Sequence, residues 1–173
     1  MSSVYGMNGL FLSITLGVLS LNSAFAQPKS TDSTVNNVPV VIRKTASANT
    51  PATYTGRQIM VGSGGGFTGF STTYYLLDNG QLFGRRSRDT TFTPLGKQTA
   101  ANTKRVFRAA ETTCKIKTTK FNSPGNMYKF VRWRKGKQEY NVVWGEPGKA
   151  VPASYPKFYN SFMAMIPATS RLK

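Results

Sequence analysis

Few side chains in this chain could carry catalysis. It has no His, one Cys and six Asp+Glu in 173 residues. Without His there is no Ser-His or Cys-His nucleophilic pair, and the commonest metal ligand is missing. A single cysteine, Cys114, forms neither an intramolecular disulfide nor a cysteine-cluster zinc site. It reads as a partly buried small hydrophobe, with an intermolecular disulfide as the sharper alternative. Asp78 falls in a turn signal, Asp89 in a basic stretch and Glu146 beside Pro147, while Glu139 reads as an exposed strand residue. No two of them are spaced as an acid/base pair. A Lys could serve as a base, but nothing singles one out. The expectation is therefore a non-enzyme with no cofactor and no metal.

Glycines carry the most distinctive spacing. Five of the eight residues from Gly62 to Gly69 are glycine. A phosphate-binding loop would continue Gly-Lys-Ser/Thr, whereas this stretch continues Phe67-Thr68-Gly69. A dinucleotide fingerprint would open a helix, and here a β-prone segment follows. Two readings are left: a strand connection or bulge, or a loop that lets a partner's backbone approach, with Phe67 as its exposed anchor. The run Ser63-Gly64-Gly65-Gly66-Phe67-Thr68-Gly69 after a short strand resembles the Ser-Gly-Gly-Phe-x-Gly signature of emfourin-like proteins. These are small inhibitors of thermolysin-like metalloproteases built from a sheet and helices. The motif spans about seven residues and the element order spans residues 57–166. The chain differs in an added glycine, an export signal, a polar tail and strong basicity. The resemblance implies a protein partner, a metalloprotease, and a binding loop of Gly64, Gly65, Gly66, Phe67, Thr68 and Gly69, with no single inhibitory contact carried over.

Basic residues are the second feature. With 23 Lys+Arg the formal net charge is +17. Arg85, Arg86 and Arg88 cluster, Lys115, Lys117 and Lys120 alternate, and Arg132, Arg134, Lys135 and Lys137 flank Trp133. Such a field attracts polyanions: extracellular nucleic acid, anionic glycan or lipid head groups. Trp133 among arginines could stack on bases. The candidate polyanion set is Arg85, Arg86, Arg88, Arg132, Trp133 and Arg134. No nucleic-acid recognition motif accompanies it.

The elements that must position these residues follow from periodicity. Ile59-Met60-Val61 is a short β-prone run. Phe70 to Leu77 is rich in aromatic and β-branched residues, and Asp78-Asn79-Gly80 is a tight-hairpin signal returning through Gln81 to Arg86. Residues 100–112 place Val106, Phe107 and Ala110 on one helical face. After the Asn122 to Asn126 breaker, Met127 to Arg134 alternates, with Tyr128, Phe130 and Arg132 on one side and Val131 and Trp133 on the other. Glu139 to Trp144 returns. Ser154 reads as the N-cap of a last helix whose apolar stripe is Tyr155, Phe158, Phe162, Met165 and Ile166. The expected fold is α+β: a four-stranded, mainly antiparallel sheet in the order β-β-α-β-β-α, with two helices on one face.

The domain reading is equally direct. Residues 1–26 hold no charged side chain, an apolar run from Leu10 to Leu21, and Ala24-Phe25-Ala26 before Gln27. That is a signal-peptide pattern, and the run is short of the roughly 20 residues a spanning helix needs. The expected product is secreted or periplasmic, with no transmembrane segment after cleavage. Residues 27–55 read as a disordered polar linker, 56–168 as one domain and 169–173 as a tail. Three functions stand: a non-catalytic protein-binding domain, with metalloprotease inhibition its most concrete form; a basic envelope protein that binds polyanions; and an enzyme of unfamiliar type.

Overall fold

The strand at the centre of the sheet is the glycine-containing one. In the computed structural model, which describes residues 49–173, β1 runs from Arg57 to Gly65. It pairs antiparallel on one side with β2 (Ser71–Leu77) and on the other with β6 (Met127–Lys135). Beyond β2 lie β3 (Gln81–Arg86) and β4 (Thr93–Lys97), and beyond β6 lie β7 (Gln138–Trp144) and β5 (Phe121–Ser123). Among the described residues the sheet thus has seven strands in the order β4-β3-β2-β1-β6-β7-β5, and β5 runs parallel to β7. This corrects the expected four-stranded antiparallel sheet.

Each added strand lacks the usual pattern for a physical reason. Ile59, Met60 and Val61 are buried in succession because both faces of the centre strand are covered. They therefore show no alternation. The strand then continues through Gly62 and Gly64, where side chains of neighbouring strands take the missing space. A Cβ on Gly62 would lie 2.5 Å from the Phe130 ring, and one on Gly64 would lie 2.7 Å from the Tyr128 hydroxyl. β4 contains Pro94 and Gly96, tolerated because the strand is at the edge. β5 is three residues long.

The expected hairpin is present: Leu77 and Gln81 flank an Asp78-Asn79-Gly80 turn with Gly80 at φ +89. Both helices, α1 (Ala100–Arg108) and α2 (Ser154–Ala164), pack on the same face. Thr99 caps α1 by accepting from the Asn102 N–H, and π-helical backbone carries it on through Ala109–Thr113. α2 begins one residue earlier than expected, with Ala153 at the cap position and no side-chain cap bond; Ser154 lies inside it. The main core joins Ile59, Val61, Leu76, Val131, Trp133 and Val142 to Phe107, Tyr155, Phe158 and Phe162. The opposite face, which no helix among the described residues covers, carries a smaller cluster of Met60, Tyr75, Leu77, Phe83 and Phe130.

Both ends of the expected domain extend further than the composition indicates. Pro51 is buried, and its carbonyl accepts from the Gln58 amide at 3.1 Å and from Arg134 at 2.6 Å. At the other end the Leu172 N–H donates to the Tyr74 hydroxyl at 3.0 Å, and Arg171 donates to the Ile166 carbonyl. The expected signal peptide over residues 1–26, and the expected linker as far as residue 48, lie outside the described residues.

The Tyr54 hydroxyl donates to Asp78. Burial, followed by the hydrogen bond and charge of that carboxylate, pushes the phenol from 10.0 up to about 12. A raised folded-state pKa contributes stability that is complete below the unfolded value and fades as pH rises through the folded one. Tyr54→Phe should therefore flatten the loss of stability as pH rises from 10.0 to about 12. Thermal melting of the two proteins across that window is the check, and parallel profiles would count against the coupling.

Candidate functional site

Gly65 ends β1 because two constraints meet there. Its φ is +101, and a Cβ would lie 1.9 Å from the Asn126 carbonyl oxygen. Only glycine fits both. The Gly65 N–H donates to the Phe70 carbonyl at 3.1 Å and the Gly66 N–H to the Asn126 carbonyl at 2.7 Å. These two bonds tie the loop to its own hairpin and to the segment entering β6. The Gly69 N–H then donates to the Gly66 carbonyl at 3.1 Å, which closes a four-residue turn with Phe67 and Thr68 at its centre. Gly66 and Gly69, both at positive φ, flank that turn.

The consequence is a fixed tip with an unsupported aromatic ring. Phe67 is fully exposed. Phe70, 50% exposed, closes the loop, and Met127, 62% exposed, stands beside it across the Gly65–Met127 pair. Among the described residues these are the exposed large hydrophobic side chains, and they stand together at one end of the sheet. The Arg88 guanidinium lies 5.6 Å over the Phe70 ring. Arg86 pairs with Asp89 at 3.0 Å and donates to the Lys173 carbonyl. Arg86 also holds the Asp89 carboxyl below its ordinary range. Arg88, Lys173 and Ser63 share with Phe70 and Met127 a shallow groove of about 280 Å3. The patch is apolar at its tip and cationic at its flank.

The expected loop is therefore redistributed. Gly64 and Gly65 belong to β1, while Gly66, Phe67, Thr68 and Gly69 form the projecting turn. Sequence reasoning misses Phe70, which strand propensity assigns to a strand, and Met127, which reads as the start of an alternating strand. The signal that could have found Met127 is its place after Pro124-Gly125-Asn126, where the chain has only begun to pair.

The arginines are less available than their clustering indicates. Arg85 lies over Phe92 at 4.9 Å, and Arg132 lies over Phe130 at 5.7 Å and pairs with Glu139 at 3.3 Å. Arg134 is engaged with Pro51. Trp133 is 2% exposed on the helix-covered face, and its indole N–H donates to Glu111 at 2.9 Å. Its place is in the core, where no base can stack on it. It fell among the candidates because strand alternation shows which residues share a face but not which face is covered.

The described carboxylates are all occupied. Asp78 pairs with Arg57, Asp89 with Arg86, Glu111 with Arg57 and Lys117, Glu139 with Arg132, and Glu146 with Lys149. Among the described residues no three metal-binding side chains gather, and no helix is long and apolar enough to cross a membrane. Burial pushes the Cys114 thiol up, away from thiolate reactivity. The arrangement presents a backbone-fixed aromatic tip flanked by cationic side chains. Compared with protein-family models and with curated proteins, the chain matches none.

Proposed function

We propose that this chain is a secreted or periplasmic, non-catalytic protein-binding domain that grips its partner through the β1–β2 turn. The observation that carries this reading is the gathering of Phe67, Phe70 and Met127 at one end of the sheet, on backbone fixed by three glycines at positive φ. An exposed aromatic on rigid backbone gives contact area at little entropic cost, which is how interface anchors act. The emfourin resemblance gives the partner its most concrete form, a thermolysin-like metalloprotease, and it rests on the same residues. The polyanion reading is favoured less, because Arg132, Arg134 and Trp133 are engaged within the fold.

The full chain titrated against thermolysin with a peptide substrate tests this. Inhibition at micromolar concentration is expected, with an unchanged rate when the chain is replaced by an unrelated basic protein of similar size. An unaltered rate at micromolar chain would remove the metalloprotease as partner.

A further inference from the structure

A second site lies between the two helices, away from the loop. The seam of α1 and α2 contains a cavity of about 220 Å3. Its apolar wall is Val106, Phe158, Phe162 and Met165. It exists because Ala109 and Ser161, which line the seam, are too short to close it. π-helical backbone from Ala109 to Thr113 forms one side. Such segments are rare and are found disproportionately at functional sites. Arg105 and Lys157 complete the lining, one from each helix, and both side chains are exposed. Neither meets a carboxylate among the described residues. The Arg105 guanidinium is nevertheless held, donating to the Asn102 Oδ1 from Nε at 3.2 Å and from Nη2 at 2.6 Å, while Nη1 makes no hydrogen bond among the described residues.

We propose that this cavity binds a single-chain alkyl carboxylate, such as a medium-chain fatty acid, with its tail between the helices and its carboxylate between Arg105 and Lys157. A dry apolar cavity of roughly 150 Å3 already takes a benzene-sized ligand, so the larger space here accommodates a short alkyl chain. The two chains of a phospholipid exceed it. The two cations supply what an alkane or an alcohol would not use, a charge-assisted fork for an anionic head group. This site is independent of the loop, and its failure would leave the protein-binding reading intact.

Calorimetric titration of the full chain with octanoate, with 1-octanol as the uncharged control, tests the assignment. Octanoate should saturate one site and bind at least about tenfold more tightly than 1-octanol. Ser161→Trp, which fills the seam from an exposed position, should weaken both ligands about tenfold or more. Arg105→Glu with Lys157→Glu should weaken octanoate alone, and because both positions are exposed the fold should survive. The proposal fails if octanoate does not saturate, if the two ligands bind equally well, or if Ser161→Trp leaves binding unchanged.

Discussion

Phe67→Ala should weaken partner binding by roughly 30-fold and leave folding stability almost untouched. The binding estimate takes about 2 kcal/mol for a central anchor at ~1.4 kcal/mol per decade of affinity. The stability half follows from geometry. The Phe67 ring is fully exposed, and the turn that carries it is built from backbone bonds of Gly65, Gly66 and Gly69. Surface changes away from buried features typically stay within about 0.5 kcal/mol. The measurement is a pair: the inhibition constant against thermolysin, or affinity for whatever partner is captured from culture supernatant, alongside denaturant unfolding. A variant that unfolds would place the ring in a core, and a variant that binds equally well would take the loop out of the interface. A basic-field mechanism shows the reverse pattern, in which Arg85 and Arg132 substitutions reduce binding in a salt-dependent way and Phe67 is silent.

Trp133→Ala is the substitution expected to cost the most in folding, about 3–5 kcal/mol. Trp133 lies on the helix-covered side of β6, 2% exposed, with Tyr140 beside it at 5.7 Å between ring centroids and the Lys117 ammonium 4.4 Å from its centroid. Truncation removes the ring, leaves a cavity and strips Glu111 of its indole donor. Urea unfolding gives the answer directly. A loss below about 1 kcal/mol, coupled with weaker retention on heparin, would return Trp133 to the surface and revive base stacking.

How much of this was legible in the sequence depended on whether an element expresses its environment as a period. β6 and β7 each have one side on the core and another partly wetted, so Tyr128, Phe130 and Arg132 separate from Val131 and Trp133 by alternation alone. The Asp78-Asn79-Gly80 turn is specified by chemistry that few other structures need. The Tyr155, Phe158, Phe162 stripe is a helical period that no strand would satisfy. β1 hides because a centre strand is apolar on both sides and because glycines, read as loop, here make room for Phe130 and Tyr128. β4 hides because an edge strand can hold Pro94, and β5 because three residues show no period. At the site, Phe67 was legible as the single large apolar residue among glycines. Met127 had only the Pro124-Gly125-Asn126 break before it as a signal, because it joins the patch through cross-strand pairing with Gly65, a contact between distant parts of the chain.

The character of the two outer strands has a bearing on concentrated solutions. An unprotected sheet margin invites a second molecule to add its own strand, and growth by repetition follows. Here one margin is β4, where Pro94 removes a backbone donor, Gly96 adopts φ +110 and the register with β3 slips between Leu82 and Phe83. The other is β5, only three residues long and preceded by Lys120. Neither presents a straight, regular row of free N–H and C=O groups. The two outer strands thereby withhold the template on which copies of this chain would stack into fibrils.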